Sequence, residues 1–434
     1  MADRARHDVL TGLASRLVLD EQMDQALVRL ARHGEGFVLH CLAFDWTAPV
    51  SDVPGPTAGD TLLKAVAQRL RHAIRGTELV ARLSDSEFAI VQTAVKDHHD
   101  AARFASRLLQ AIAAPYDLGG RQLIIAAHIG MACAPRDGED ADTLIHKAGL
   151  ALQRATAAGH NRFCLFEPQI DDEVQDRHAL EAELAGVLAR GELVLCFAPW
   201  IDLATGRVGG CEARPRWMHP QRGVIEAEIF MPLAEASGLA GPIGDWMLQQ
   251  ACATVASWPP EIRVAVNLTA AQLVTGQAVL HVRAALAASG LAADRLELEI
   301  SEGLLAHPGS GPALAVLTAL HQLGVAVALD DFGTGSSLHY LRAFPFDRVK
   351  IDASFVAELT ASLDGQAIVA AVSGLGRHLG IATTALGVAT EEQLQALRDT
   401  GCTDAQGPLF SDAQSADGLL ALLLTSFSET TQAA

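Results

Sequence analysis

Several things are missing from this 434-residue sequence, and each absence removes a class of function. There is no C-x-x-C pair. The seven cysteines (Cys41, Cys133, Cys164, Cys196, Cys211, Cys252, Cys402) are scattered singly, which argues against a zinc ribbon or a redox dithiol and suits a reducing cytoplasm. Basic charge is in deficit: the formal net charge of −19 argues against a nucleic-acid or anionic-membrane partner. No apolar run approaches the roughly 18 residues of a membrane span. The first residues, MADRARHDVLTG, carry charge where a secretory signal would carry an apolar stretch. The expectation is a cytoplasmic protein with no membrane and no nucleic acid to bind.

What is present is apolar material: half of the residues, enough for two or three domains with large cores. Residues 1–30 read as helix, 36–46 as a buried strand, and 47–59 as a Pro/Gly-rich loop. A helix over 60–74 carries Leu62, Leu63, Val66 and Leu70 on one face. A hairpin over 78–93, a helix over 99–113, a strand over 121–135 and a helix from Asp140 to about Ala158 complete a small α/β sandwich. A polar helical stretch follows. The expected boundaries are 1–168 for the first domain, 169–190 for a helical linker and 191–427 for the second domain.

From Gly191 the pattern becomes short apolar strands separated by helical stretches. Candidate strands at 192–201, 208–217, 263–269, 295–301, 325–332, 348–352, 381–386 and 404–407 predict a (β/α)8 barrel. Barrel chemistry sits at the C-terminal strand ends. The polar residues there are Glu212, Asn267, Glu299, the pair Asp330 and Asp331, Lys350 and Gln406. Each alone reads as a solvated loop residue or a cap; six of eight strand ends together do not. Carboxylate and amide oxygens suit Mg2+ or Mn2+ better than zinc. Lys350 suits an anionic group such as phosphate. Two adjacent aspartates ending an apolar strand need positive charge nearby. The reaction class such a set supports is metal-assisted hydrolysis of a phosphodiester.

At this point the chain resembles the tandem GGDEF–EAL proteins of bacterial cyclic di-GMP signalling. CEARPRWMHP, FMPLAEASGL, VNLTAAQL, LELEISE, LDDFGTG, KIDASFV and QGPLF carry the likeness in the second half. HDVLTGLASR, AGDTLLKAVAQRL, ARLSDSEFAI and HIGMACAPRDGEDADTLIHKAGLAL carry it in the first. The resemblance implies a nucleotide-cyclase-like sandwich followed by an EAL-type TIM-like barrel. It implies Glu212, Asn267, Glu299, Asp330 and Asp331 as metal ligands, Lys350 at the phosphate or attacking water, and Gln406 behind that water. It also implies a homodimer through the barrel domain.

The same resemblance marks departures. In the first half the signature reads Ser84, Asp85, Ser86, Glu87, Phe88, and its metal-binding positions are Ser86 and Ala43. The loop positions are Thr47, Ala48 and Ser51, the fourth-helix lysine is Thr156, and the inhibitory-site pattern runs from Arg75 to Glu78. Losing both metal carboxylates predicts no cyclase activity. In the second half Leu386 replaces a Glu that the family needs for hydrolysis and Ala389 a second one. Arg214 replaces the Leu of the motif, Ala198 a Gln, and the loop after Asp331 is about one residue short. A leucine neither ligates metal nor accepts a proton. No fully competent catalytic set is therefore expected, although Lys350 and Gln406 remain.

Arg214 and Arg216 lie two and four residues after Glu212, so strand parity predicts all three on one face. With Lys350 and Gln406 they form the expected ligand-binding set. Arg214 has two expected roles: pairing with a ligand phosphate, or folding over Glu212 and the aspartate pair to close the site. Three functions stay open: a non-catalytic receptor of cyclic di-GMP and/or a partner protein, a weak metal-dependent phosphodiesterase, and a protein-interaction scaffold without nucleotide.

Overall fold

The computed structural model describes residues 6–45, 58–84, 86–93, 95, 98–117, 122–159, 161–274, 276–306, 311–333 and 338–431. The chain forms two compact units, Met1–Ala179 and Leu180–Ala434. No helix among the described residues is long and apolar enough to cross a membrane.

The first unit is built on strands β1 (Phe37–Asp45), β2 (Leu79–Arg82), β3 (Glu87–Thr93), β6 (Ala126–Ala134) and β7 (Phe163–Leu165), in the order β2-β3-β1-β6-β7. A short ribbon of β4 (Tyr116–Asp117) and β5 (Gln122–Leu123) lies outside this sheet. Strand β1 is apolar almost throughout because both of its faces are covered. Val38, Leu42 and Phe44 pack with Leu62, Val66, Phe104 and Leu108 from the helices Ala58–Ala73 and His98–Ala113. Phe37, Leu39 and Cys41 pack with Leu19, Met23, Leu144 and Ala148 from the helices Arg16–His33 and Ala141–Ala157.

The expected hairpin over 78–93 is β2–β3. Two expectations need correction. The first long helix starts at Arg16, not at the amino terminus. Before it, Asp8 Oδ1 accepts from the N–H and hydroxyl of Thr11, Gly12 takes a φ of 66°, and Ala14 bridges to Ala81. This turn folds the segment onto the edge of the sheet instead of continuing a helix. The single strand over 121–135 is two strands: β5 turns away to pair with β4 before β6 enters the sheet.

The second unit is a closed barrel of eight strands: β8 (Leu193–Asp202), β9 (Val208–His219), β11 (Arg263–Asn267), β12 (Leu296–Ser301), β13 (Ala326–Phe332), β14 (Arg348–Ile351), β15 (Ala382–Ala385) and β16 (Asp404–Gln406). Closure comes from β8, which pairs with both β16 and β9. A short strand β10 (Gly223–Glu226) pairs with β9 as a hairpin outside the ring. Strand β8 runs antiparallel to both neighbours, whereas the other strands are parallel. The sequence explains this inversion. Asp202 accepts from Ala204 and Thr205 and Gly206 takes a φ of 71°, so the chain reverses in a few residues. A parallel crossover needs a dozen or more.

Candidate functional site at the barrel mouth

Alternation decides which side chains enter the barrel. Cys211 and Ala213, Val264 and Val266, Leu298 and Ile300, Val327 and Leu329, and Val349 belong to the apolar layer outside the strands. Their neighbours Glu212, Asn267, Glu299, Asp330 and Lys350 therefore point inward. On β16 the same rule turns Ala405 outward and Gln406 in.

Lys350 is the centre of the cluster. Its Nζ, deeply buried, lies 2.7 Å from Glu299 Oε1, 3.1 Å from Glu212 Oε2 and 3.6 Å from Asp330 Oδ2. Gln406 Nε2 donates to Glu212 Oε2 (3.1 Å), and Asn267 Nδ2 donates to Glu299 Oε2 (3.1 Å) and Glu212 Oε1 (3.4 Å). Arg214 grips Glu212 as a fork: Nε to Oε1 at 3.1 Å and Nη2 to Oε2 at 3.0 Å. The Arg214 side chain is 44% exposed against 7% for Glu212, so the guanidinium lies over the carboxylate on its solvent side.

The charges follow from this packing. Burial alone drives the Glu212 carboxyl upward, but Lys350 and then Arg214 outweigh it and hold the group down at about 2. Burial pushes Glu299 well above the ordinary carboxylate range, Glu212 and Asp330 add to the push, and Lys350 only partly offsets them. Lys350 is driven upward: its burial opposes charge, and Glu212, Glu299 and Asp330 together prevail. Burial, then the charge of Asp330, raises Asp331. Asp331 sits at a register irregularity between Leu329 and Phe332 with φ at 54°, which turns it away from the Lys350 cluster. It lines a cavity of about 490 Å3 at the mouth instead.

That cavity opens between the strand ends and the helix Ala227–Ala236, and it is also lined by Glu212, Arg214, Glu228, Met231 and Glu235. Arg216 is not among its lining residues. Strand β10 places Glu226 opposite Arg216, whose Nε pairs with it at 2.9 Å while Nη1 meets Cys196 Sγ at 3.5 Å. Parity was right about the face, but the hairpin partner holds the side chain off the mouth. Leu386 follows β15, its N–H donating to the Ile351 carbonyl at 3.1 Å, and Ala389 is exposed. Residues 334–337 of the loop after Asp331 lie outside the described residues.

The donor set has the chemistry of a hard-cation site, but its arrangement does not fit one. A carboxylate offers about four lone-pair positions. Those of Glu212 face Arg214 twice and Lys350, Gln406 and Asn267 once each. Among the described residues, no three acidic, histidine or cysteine side chains come together as ligands of one metal ion.

Beneath the mouth lies a second ionic layer that the sequence reading missed. Arg348, buried, pairs with Glu297 at 2.9 Å and Asp404 at 2.5 Å, donates to Thr384 Oγ1 at 2.6 Å, and lies over the Trp200 ring. The signal was available. Each of these charged residues stands two positions before a mouth residue: Glu297 before Glu299, Arg348 before Lys350, Asp404 before Gln406. In a strand, that offset means the same face.

At the end of the first unit's sheet, the two positions where the resemblance implies metal carboxylates carry no charge. The register sets Ala43 opposite Glu87 on one side and His128 on the other, with Ser86 just before β3. Thr156 spends its hydroxyl on the Leu152 carbonyl of its own helix (3.0 Å), and Glu78 accepts from the Arg75 backbone N–H (2.7 Å). Thr47, Ala48, Ser51 and Asp85 lie outside the described residues.

Comparison with known proteins agrees with this division. Residues 178–413 match the family model of the EAL domain, and residues 5–162 match that of the diguanylate cyclase GGDEF domain. The cyclic di-GMP phosphodiesterase NbdA of Pseudomonas aeruginosa is 37% identical over 412 residues, covering 94% of this chain and 52% of that protein. The bifunctional diguanylate cyclase/cyclic di-GMP phosphodiesterase MucR of the same organism is 37% identical over 422 residues, covering 96% and 61%. A solved MucR phosphodiesterase structure in complex with cyclic di-GMP, 39% identical, superposes with a TM-score of 0.54 over 56% of this chain and 100% of that one. The Vibrio cholerae LapD S helix–GGDEF–EAL structure, bound to cyclic di-GMP, matches 94% of this chain and 97% of its own at a TM-score of 0.67; at 18% identity it speaks for the fold alone. The chain spans about half the length of the curated relatives it matches first.

Proposed function

Because the chain belongs to the family that joins a GGDEF domain to an EAL domain, we propose that it is a non-catalytic signalling protein whose barrel binds cyclic di-GMP. The observation that carries this reading is the saturation of Glu212 by side chains of the same chain. A phosphodiesterase of this type needs positive charge free to polarise a phosphate and a base to activate water. Here the positive charge is committed to the protein's own carboxylates, and the next strand end offers Leu386. Binding needs less. The mouth cavity of about 490 Å3 has the size of a nucleotide pocket. The half-exposed Arg214 guanidinium keeps donors for a phosphate beside its Glu212 fork. Lys350 and Gln406 lie beneath it, and Arg216 becomes available once it leaves Glu226. A homodimer through the barrel domain belongs to the same proposal.

A second reading has its own observation. Arg214 at the mouth and Arg216 beside it already hold carboxylates, and Glu228, Glu235 and Asp331 surround the opening. This favours a scaffold that excludes anionic ligands. Calorimetric titration of the whole chain with cyclic di-GMP separates the two. The receptor reading expects a Kd at or below about 100 μM, a binding free energy of about 5.5 kcal/mol, and at least tenfold weaker binding for Arg214→Glu. No heat of binding from the wild-type chain leaves the scaffold.

A further inference from the structure

The mismatch between the donor set and a divalent ion comes from cations of the same chain on two sides of the carboxylates. Lys350 occupies the inner side of the carboxylate cluster, touching Glu299, Glu212 and Asp330. On the outer side, facing the cavity, the Arg214 guanidinium lies over Glu212, with Asn267 beside it. Among the described residues the guanidinium is the one group that takes both oxygens of Glu212, and it approaches from solvent. Beneath the fork lies the buried Gln406. Its Nε2 donates to Glu212, while its Oε1 has no hydrogen-bond partner among the described residues.

We propose that Arg214 is a built-in cation: its guanidinium holds the position at the mouth that a divalent ion would need, and so makes the barrel independent of metal. Two consequences follow from charge and geometry. A planar fork bound to a carboxylate satisfies both oxygens and blocks their use as metal ligands. It also supplies, permanently, the positive charge that the outer carboxylate face requires. The proposal extends the receptor reading, but its test contains no nucleotide, so the two fail separately.

The test is a titration of the whole chain with Mn2+, followed by the loss of the free-ion electron paramagnetic resonance signal and by calorimetry. The wild-type chain is expected to show no saturable site tighter than about 1 mM. Arg214→Leu, which removes the fork from the cavity side of Glu212, is expected to gain one site at least tenfold tighter. Glu212→Gln added to Arg214→Leu is expected to abolish it. Arg214→Lys, which keeps the charge, is expected to stay close to wild type. Arg214→Gln serves if the leucine variant fails to fold, with the same gain expected. Equal Mn2+ affinity in wild type and the neutral variants, whether tight or undetectable, overturns the proposal. So does a gained site that survives Glu212→Gln.

Discussion

The strand ends of the two units carry opposite inventories. At the end of the first sheet, Ala43 and Ser86 stand where the resemblance implies metal carboxylates, and neither needs a partner. At the barrel mouth the carboxylates remain; Glu212, Glu299 and Asp330 share Lys350, and Glu212 also holds Arg214. The difference is a matter of desolvation. An alanine or serine at a sheet end leaves no buried charge behind. Glu212, Glu299 and Asp330 lie inside a barrel, where an uncompensated carboxylate costs several kcal/mol. The barrel sets cations of its own beside these acids, Lys350 on the inner side and Arg214 on the solvent side.

The contrast predicts where each unit is fragile. The largest effect belongs to the buried layer under the mouth. Arg348→Met leaves Glu297 and Asp404 buried and unpaired, and the barrel should lose about 3–5 kcal/mol. Urea unfolding followed through Trp200, beside the Arg348 guanidinium, reads this out. A loss below about 1 kcal/mol would mean that the layer is not a buried ionic core.

The first unit depends on the opposite chemistry, a buried neutral base. His40 is sealed in its core, beside Phe104, with Nε2 against Gln92 Oε1 at 2.8 Å. Burial, only partly offset by the hydrogen bond to Gln92, lowers its pKa from 6.5 to about 4. The unfolded chain therefore binds this proton first. Stability from keeping His40 neutral is complete above pH 6.5 and is lost as pH falls towards 4, up to about 3 kcal/mol. Replacing His40 and Gln92 together by leucine should remove that part of the acid sensitivity. An unchanged difference between pH 7 and pH 4.5 would contradict it.

The smallest effect is on the rim. Glu226→Ala removes an exposed ion pair with Arg216 and should change stability by less than about 1 kcal/mol. A larger loss would place Arg216 in the structural framework of the hairpin rather than in reserve for a ligand.

Much of this was legible in the sequence. Strand-end reading located Glu212, Asn267, Glu299, Asp330, Lys350 and Gln406, and the structure gathers all six. It erred where a neighbour in space, not in sequence, decides. Arg216 is turned aside by Glu226, ten residues on, because β10 folds back in that register. Asp331 leaves the cluster because the strand is irregular at that point. The antiparallel β8 was concealed by strand patterns that do not record direction. The Arg348 layer was visible by parity, yet a buried arginine reads as surface until its partners are placed.

The central claim is that the barrel holds cyclic di-GMP without cutting it. The direct test is to incubate the whole chain with the dinucleotide and Mg2+ or Mn2+ at stoichiometric concentration, then separate the nucleotides by chromatography. The account predicts that the cyclic dinucleotide co-elutes with the protein and is released intact. Linear dinucleotide formed at about 1 s⁻¹, within the ordinary range of enzymes, would contradict it.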